Sequence, residues 1–437
     1  MPRTQTQVDH PAAEPRVQRV VSRWQLVGLG VNGVIGGGIY LLPAAAAALL
    51  GVASVWAVFV AGIVASLLVL CYAQAASCFD ATGGEYLYAR EAFGGFVGFE
   101  VGWMELLTDI AAIAALSNGL ATTLATFVPA LAAGPGRVAV VLATLLLLGW
   151  INIVGMRAAA RTDVALAIAK LLPLLLFIGI GVVLLAPHGG PHFWVVPNSV
   201  HHLGKTVALL LFAYSGFEGL PVAAGEYHDP RRNVPFALIV TIAVVTVAYV
   251  AIQWVTVGSV AGLAHASDPL SAAAAALSGN WLVGVMVVGG VISIFGTIAS
   301  GFTYAPRYLL ALAGDGFGPA RLARIHPRYR TPALAVVVVC AAAMLLALTR
   351  SFVALALLSM VARLFGYLST SLSVLVFHRR HAGRAHVLRL PGGPVIPVLA
   401  CLFCLGLLAS AGLGNVLAGL GALAVGALIF RFGRRRA

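Results

Sequence analysis

Apolar residues form long, nearly uninterrupted runs along this chain, and short polar segments separate them. A helix needs about 20 mostly apolar residues to cross the hydrocarbon core of a bilayer. Twelve runs fit this pattern, and they predict an all-α integral membrane protein with twelve transmembrane helices. The runs cover residues 25–50, 55–76, 96–128, 138–154, 163–185, 205–224, 236–257, 281–303, 332–348, 352–377, 395–411 and 414–430.

The positive charges support this span count and orient the chain. Of the 27 Lys and Arg residues, 22 fall on the side of the N-terminus, 3 fall on the other side, and Lys170 and Arg363 lie within spans. Cytoplasmic loops are enriched in Lys and Arg, so we expect both termini in the cytoplasm. The richness in arginine and alanine indicates a GC-rich bacterial genome, and hence a bacterial plasma membrane.

Composition limits the classes of function. Hydrophobic residues make up 61% of the chain and charged residues 9%, whereas soluble domains carry about 25% charged residues. The chain cannot cover a water-facing surface, which excludes a soluble enzyme or a nucleic-acid-binding domain. The formal net charge of +13 follows from the loop bias. We therefore expect membrane lipids around the protein and no nucleic acid partner.

Glycine interrupts the first and the sixth span at corresponding places. The first contains Val-Ile-Gly-Gly-Gly-Ile (34–39), and the sixth contains Phe-Ala-Tyr-Ser-Gly-Phe-Glu-Gly (212–219). Mid-helix glycine favours unwinding, and paired interruptions indicate a transporter's binding site near the midplane. Close helix packing is the alternative explanation for each cluster alone.

The interruptions lie in spans one and six, an offset of five spans, so the second set of five enters from the opposite side of the membrane. We predict a 5+5 inverted repeat with discontinuous helices 1 and 6, followed by helices 11 and 12. The expected parts are a cytoplasmic arm (1–23), a first five-helix repeat (24–186), an extracellular loop (187–204), a second inverted repeat (205–378), a cytoplasmic loop (379–393), helices 11 and 12 (394–431) and a cytoplasmic tail (432–437).

Two unwound helices provide a site for a zwitterion. The N-terminus of a half-helix presents free N–H groups and a positive dipole to a carboxylate. Unwound carbonyls and the C-terminus of the other half-helix accept hydrogen bonds from an ammonium. An α-amino acid fits such a site without a charged side chain.

Several motifs carry a resemblance to a known family. They are Gly-Val-Ile-Gly-Gly-Gly-Ile-Tyr (33–40), Thr-Gly-Gly-Glu-Tyr-Leu-Tyr (82–88), the interruption at 212–219, the loop at 225–235 and the loop at 307–332. With these motifs in this order, the chain resembles the amino acid–polyamine–organocation (APC) permeases. The resemblance implies the LeuT-type fold, with helices 11 and 12 outside the repeat.

The resemblance also implies the residues of the site. The substrate carboxylate would meet Gly36, Gly37 and Gly38, and the amino group would meet main-chain oxygens of the two interruptions. Phe212 and Glu218 resemble an aromatic residue that closes over substrate and a sixth-span acid in antiporters of this family. The expected substrate-binding residues are Ile35, Gly36, Gly37, Gly38, Phe212, Ala213, Tyr214, Ser215 and Gly216.

Charged residues inside spans are costly and usually face a cavity. Lys170 resembles a fifth-span lysine that stands where sodium sits in sodium-coupled relatives. We expect Lys170 to replace Na⁺ and to link transport to protons or to helix closure. The alternative is a lysine that extends to the cytoplasmic interface.

Four further charges within spans are candidates for coupling or gating. They are Glu105, Asp109, Glu218 and Arg363. Glu105 and Asp109 are four residues apart and share a helical face. One interpretation is a structural ion pair between Arg363 and one of these two acids. The other is that a surplus acid faces the substrate, which with Glu218 would favour a cationic side chain or a polyamine.

The sequence thus predicts a secondary transporter that moves amino acids by alternating access. We expect it to be independent of sodium and coupled to protons or to a counter-substrate. A polyamine or cationic amino acid exchanger is the alternative, and a lipid-modifying membrane enzyme is the alternative of another class. No catalytic motif, cofactor motif or metal-ligand set is recognisable. The sequence leaves open the substrate, the direction of transport and the oligomeric state.

Overall fold

The computed structural model describes residues 22–79, 83–154, 159–191, 199–222, 224, 227–329, 331–349, 351–380, 388–390 and 392–433, and the side chains of 159–168 and 188 are not described. Most of the predicted N-terminal arm, residues 381–387 of the predicted loop and residues 434–437 of the predicted tail lie outside these ranges.

Sixteen α-helices make up the described part of the chain, and no strand occurs in these ranges. They are α1 (Arg23–Val34), α2 (Gly38–Leu50), α3 (Ser54–Cys78), α4 (Gly84–Phe93), α5 (Gly95–Ala125), α6 (Gly134–Val154), α7 (Ala159–Leu185), α8 (Val200–Tyr214), α9 (Gly219–Val222), α10 (Pro230–Ser259), α11 (Pro269–Ser278), α12 (Asn280–Gly314), α13 (Ala333–Thr349), α14 (Phe352–Arg380), α15 (Val395–Ser410) and α16 (Leu413–Gly433).

Within the described ranges, six segments are long and apolar enough to cross a membrane, and shorter apolar helices accompany them. The six are Gly38–Cys78, which joins α2 and α3, together with α6, α10, α12, α14 and α16. Helices α1 and α8 end at interruptions, and α5 carries three acids. These features set them apart from uniform apolar spans. The count of twelve transmembrane helices therefore stays a prediction.

The helices extend the hydrophobic runs at several places. Helix α12 continues beyond the predicted end at residue 303 to Gly314. Helices α4 and α11 occupy segments that the hydrophobic pattern left between spans. Their ten residues each are too few to cross a bilayer.

The order of elements repeats along the chain. A broken helix, a long helix, a short helix and a second long helix occur as α1/α2, α3, α4 and α5, and again as α8/α9, α10, α11 and α12. Each short helix ends at a glycine with positive φ, Gly94 at 94° and Gly279 at 78°. Glycine adopts this conformation without a steric penalty, so the next long helix begins at once.

Corresponding helices of the two sets pack against each other. Helix α3 packs on α10, α5 packs on α12, and α6 packs on α13. The short helix α4 contacts α9, and the short helix α11 contacts α2. Each short helix therefore lies beside the second half of a broken helix, which places α4 and α11 next to the two interruptions.

Candidate substrate site and buried charge cluster

The two interruptions lie against each other. The first covers residues 35–37, between α1 and α2, and the second covers residues 215–218, between α8 and α9. Gly216 has a φ of 115°, and a Cβ atom on it would overlap the carbonyl of Gly33. A Cβ atom on Gly38 would lie 2.8 Å from the Cα atom of Ala213. Glycine at these positions lets the two backbones touch.

Buried hydroxyl groups satisfy the carbonyls at the broken ends. The Tyr249 hydroxyl of α10 lies 3.1 Å from the carbonyl oxygen of Val34 and 3.0 Å from that of Ala213. The single hydrogen of the Tyr249 hydroxyl is thus shared between a carbonyl at the end of α1 and one at the end of α8. The Ser293 hydroxyl of α12 donates to the carbonyl of Ile35 at 3.3 Å. These bonds replace intrahelical ones that the interruptions remove.

A cavity of about 170 Å³ lies at this junction. Its wall contains Gly36, Gly37 and Gly38 from the first interruption and Phe212, Ala213, Ser215 and Gly216 from the second. Because α2 begins at Gly38, its first N–H groups have no intrahelical acceptor. Helices α5 and α12 supply the opposite wall.

Two of the expected binding residues do not line this cavity. Tyr214 is fully buried, and its hydroxyl donates to the carbonyl of Val58 at 3.1 Å. Ile35 is 1% exposed, and its carbonyl is held by Ser293. Both residues lie behind the cavity wall, where their hydrogen bonds hold the two interruptions in place.

The sequence analysis missed the contribution of α12. Thr297, Ser300, Tyr304 and Tyr308 line the cavity from this helix. They occur three or four residues apart, so they form one polar stripe on an otherwise apolar helix. That stripe was the available signal, and it is weak because each residue alone is compatible with a helix core.

One end of the cavity is closed by apolar side chains. The Phe212 ring meets the Phe352 ring edge-on, with centroids 6.0 Å apart. Both residues are less than a tenth exposed. At the other end the wall continues along Asn32 of α1, Val222 of α9 and Tyr308 of α12, which are partly exposed. The cavity is therefore accessible from the side on which α1 begins.

A cluster of charges lies at the edge of the cavity. Arg363 of α14 forms ion pairs with Glu105 at 3.3 Å, with Asp109 at 3.3 Å and with Glu218. Arg363 thus contacts both third-span acids and also Glu218. The side chains of all four residues are at most 14% exposed. Each of the four also contributes to the wall of the cavity.

Glu218 connects this cluster to the second interruption. Its Oε2 atom accepts a hydrogen bond from the N–H of Gly216 at 3.0 Å and lies 3.4 Å from the Tyr367 hydroxyl. The carboxylate therefore holds an unwound backbone group while it pairs with Arg363. This arrangement ties α14 to the interruption.

Glu85 is a fourth acid at this cluster, and the sequence analysis did not single it out. It lies on α4 and is 1% exposed. A Cβ atom on Gly366 would lie 2.5 Å from a carboxyl oxygen of Glu85 and 2.5 Å from one of Glu105. Burial, with a smaller contribution from the Glu218 carboxylate, raises the pKa of Glu85 to about 7. Because Glu85 lies outside the apolar runs, the sequence does not indicate that its side chain is buried.

Lys170 lies apart from this cluster. It is 2% exposed on α7, and its Cε atom lies 3.1 Å from the place of a Cβ atom on Gly296 of α12. The side chain is buried against α12 rather than extended to the interface, and it does not belong to the described wall of the cavity. Thr297, the residue after Gly296 in α12, lines the cavity. Lys170 therefore lies close to the cavity but behind its wall.

The substitution Tyr249→Phe tests the hydrogen bonds at the interruptions. It removes the donor to two buried carbonyls, and we expect a loss of about 1–3 kcal/mol in stability. Tyr40→Phe is the matched control, because the Tyr40 hydroxyl is buried without a hydrogen-bond partner among the described residues. Thermal unfolding in detergent would measure both variants, and equal melting temperatures would contradict this role of Tyr249.

The substitution Arg363→Gln tests the charge cluster. It leaves three buried carboxylates without their guanidinium, and we expect a cost of about 3–5 kcal/mol. Adding Glu105→Gln removes one of those charges and should recover part of the lost melting temperature. The control is Arg379→Gln on the exposed end of the same helix. A melting temperature for Arg363→Gln within error of the control would show that the cluster does not stabilise the fold.

Comparison with known proteins identifies the family. The model of the amino acid permease family matches residues 21–428. A branched-chain amino acid permease of Bacillus subtilis is 27% identical over 441 residues, 96% of this chain and 94% of the relative. A methylthioribose transporter of the same organism is 28% identical over 404 residues, 89% of this chain and 87% of the relative.

A similarity extends to animal proteins. The large neutral amino acids transporter small subunit 2 of Oryctolagus cuniculus is 30% identical over 344 residues, 74% of this chain and 63% of that protein. The family match over residues 21–428 includes both interruptions and the charge cluster. This chain is a multi-pass membrane protein that belongs to the amino acid permease family of the APC superfamily.

Proposed function

We propose that this protein is a secondary transporter that carries amino acids across a bacterial plasma membrane by alternating access. The observation that supports it most is the cavity at the junction of two broken helices. In that cavity the N-terminus of α2 faces an unwound segment of the second broken helix. These groups offer hydrogen-bond donors to a carboxylate and acceptors to an ammonium.

The twelve-helix arrangement belongs to this proposal. Residues 24–186 and 205–378 are two inverted five-helix repeats, and residues 394–431 add helices 11 and 12. The repeated element order and the packing of α3 on α10 and α5 on α12 support it. With both termini in the cytoplasm, the accessible end of the cavity faces inward and the Phe212–Phe352 contact closes the outer end.

The predicted binding residues that line the cavity keep their roles in this proposal. Gly36, Gly37 and Gly38 receive the carboxylate, and carbonyls of the second interruption receive the ammonium. Phe212 covers the substrate from outside. The buried ammonium of Lys170 stands in place of a sodium ion between α7 and α12, which makes transport independent of sodium. The protein is a transporter and not an enzyme.

We propose neutral, branched-chain amino acids as the substrates. Ile113 and Leu116 form an apolar part of the cavity wall. The acids that also line it already neutralise Arg363, so a cationic substrate would compete with a buried guanidinium. The names of the bacterial and animal relatives, for branched-chain and large neutral amino acids, point the same way.

A cationic amino acid or polyamine is the second candidate. The observation that favours it is the carboxylate of Asp109, which is 14% exposed and lines the cavity. In this alternative Asp109 exchanges its contact with Arg363 for one with the substrate. The two candidates differ in which substrate exchanges through the protein.

Counterflow in liposomes separates the two candidates. We expect purified protein, in liposomes loaded with unlabelled leucine, to accumulate labelled leucine, and liposomes loaded with arginine or putrescine to show no such uptake. Apolar wall residues favour an aliphatic side chain by roughly 1–3 kcal/mol. Exchange of arginine but not leucine would establish the second candidate, and exchange of none of these compounds would refute both.

The substitution Gly36→Ala tests the place of the carboxylate. The new methyl group would lie 2.8 Å from Thr297 Oγ1 at the cavity wall. We expect leucine counterflow to fall by at least about tenfold, because the methyl group occupies the space of the carboxylate. Gly28→Ala on α1 is the control, since its methyl group would meet nothing within 4 Å. Equal counterflow by the two variants would place the substrate elsewhere.

A further inference from the structure

Two buried carboxyl groups meet beside Gly366 on α14. Glu85 comes from α4 and Glu105 comes from α5, and each is 1% exposed. One oxygen of each lies 2.5 Å from the same point, the place of a Cβ atom on Gly366. Only the missing side chain of this glycine leaves room for both groups. The two oxygens are therefore close neighbours in a place that excludes water.

The guanidinium of Arg363 forms its ion pairs with oxygens other than the two that lie beside Gly366. Its contacts reach Glu105 Oε2, Asp109 and Glu218. In the ranges that the structure describes, no hydrogen bond of normal geometry reaches the Oε1 atom of Glu105 or either oxygen of Glu85. The fully buried Tyr72 hydroxyl interacts with Glu85. Two buried carboxyl groups in contact cannot both be ionised, because the repulsion and the loss of hydration are too costly.

We propose that the Glu85–Glu105 pair is the binding site of the proton that this transporter couples to its substrate. The inference rests on the proposed transport function and names the coupled ion and its site. In the loaded state one O–H group is shared between the two carboxyls, and the pair carries one negative charge. In the unloaded state the two carboxyls have separated, the proton has passed to water, and each carboxylate carries its own negative charge.

The position of α4 links this site to the substrate site. The N–H of Gly83 donates to the carbonyl of Val222 at 3.2 Å, at the end of α9. A Cβ atom on Gly84 would lie 2.9 Å from the side chain of Val222. Helix α9 begins directly after the second interruption, so a movement of this half-helix during transport carries α4 with it. That movement separates Glu85 from Glu105 and opens the pair to the cytoplasm.

A second contact anchors α4 at its other face. The Tyr86 hydroxyl donates to Asp315 at the end of α12, at 2.5 Å. Helix α4 is thus held between α9 and α12, which both contribute to the cavity wall through Val222 and Tyr308. The proton site therefore responds to the two helices that the substrate contacts.

The surroundings of Glu85 decide when the pair is loaded. The titratable and charged groups that face it are Tyr72 of α3, Tyr88 of α4, Glu105 of α5, Glu218, Tyr308 of α12, and Arg363 and Tyr367 of α14. Because the pKa of Glu85 is raised to about 7, the site holds its proton below neutral pH and loses it as the pH rises. The site can therefore exchange protons near physiological pH.

Proton movement in liposomes tests the site. A pH-sensitive dye inside the liposomes reports protons that enter when leucine is added outside, and labelled leucine reports counterflow in parallel. We expect the wild-type protein to acidify the interior. We expect Glu85→Gln to keep counterflow, because an amide resembles the protonated carboxyl, and to lose acidification down to the level of liposomes without protein.

Glu91→Gln is the matched control, since Glu91 is an exposed acid on the same helix. It should acidify as the wild-type protein does. Counterflow without acidification by the wild-type protein, or wild-type acidification by Glu85→Gln, would overturn the proton site and leave the transport function intact. Absence of counterflow in the wild-type protein would instead refute the transport function with leucine.

Infrared spectroscopy tests the site without transport and without a variant that must function. A buried protonated carboxyl has a C=O stretching band that an ionised carboxylate lacks. Because the pKa of Glu85 is raised to about 7, this band should lose intensity between roughly pH 6 and pH 8. The change should be smaller in Glu85→Gln than in the wild-type protein and unaltered in Glu91→Gln. A wild-type spectrum without this pH-dependent band would overturn the proposal.

Discussion

The need to satisfy every backbone polar group in lipid governs the centre of this protein. Two helices are broken side by side, and each break leaves carbonyls without their intrahelical partners. Tyr249 and Ser293 hold three of these carbonyls from neighbouring helices. The remaining groups face a cavity, where a ligand can use them. The same constraint that makes a broken helix costly therefore also leaves hydrogen-bonding groups that a ligand can use.

Close backbone contact makes this arrangement possible. Gly38 allows α2 to approach Ala213, and Gly216 allows the second interruption to meet the carbonyl of Gly33. Side chains at these positions would push the two broken helices apart and place the hydroxyl of Tyr249 beyond reach of one carbonyl. Glycine therefore permits the interruptions in two ways, by allowing the backbone to unwind and by allowing the two backbones to touch. Each interruption thus depends on the other broken helix.

The charge cluster extends this junction toward α14 and α4. Arg363 contacts three acids, and one of them, Glu218, also accepts a hydrogen bond from the N–H of Gly216. A buried guanidinium that bridges two helices and an unwound segment gives those elements a defined relative position. Glu85 adds a carboxyl that the guanidinium does not reach. The cluster thus combines a fixed ion-pair network with one group that is free to exchange a proton.

Much of this protein follows from local sequence. The apolar runs, the two glycine clusters and the Arg bias indicate a membrane transporter with broken helices, because these features act through hydrophobicity, backbone freedom and loop charge. The sequence also marked Lys170, Glu105, Asp109, Glu218 and Arg363, since a charge in an apolar run is conspicuous. Only the tertiary structure brought Glu85 to Glu105, lined the cavity with α12 and placed Tyr249 between two broken ends. Those contacts join residues far apart in the chain, and each residue alone is ordinary for a loop or an apolar helix.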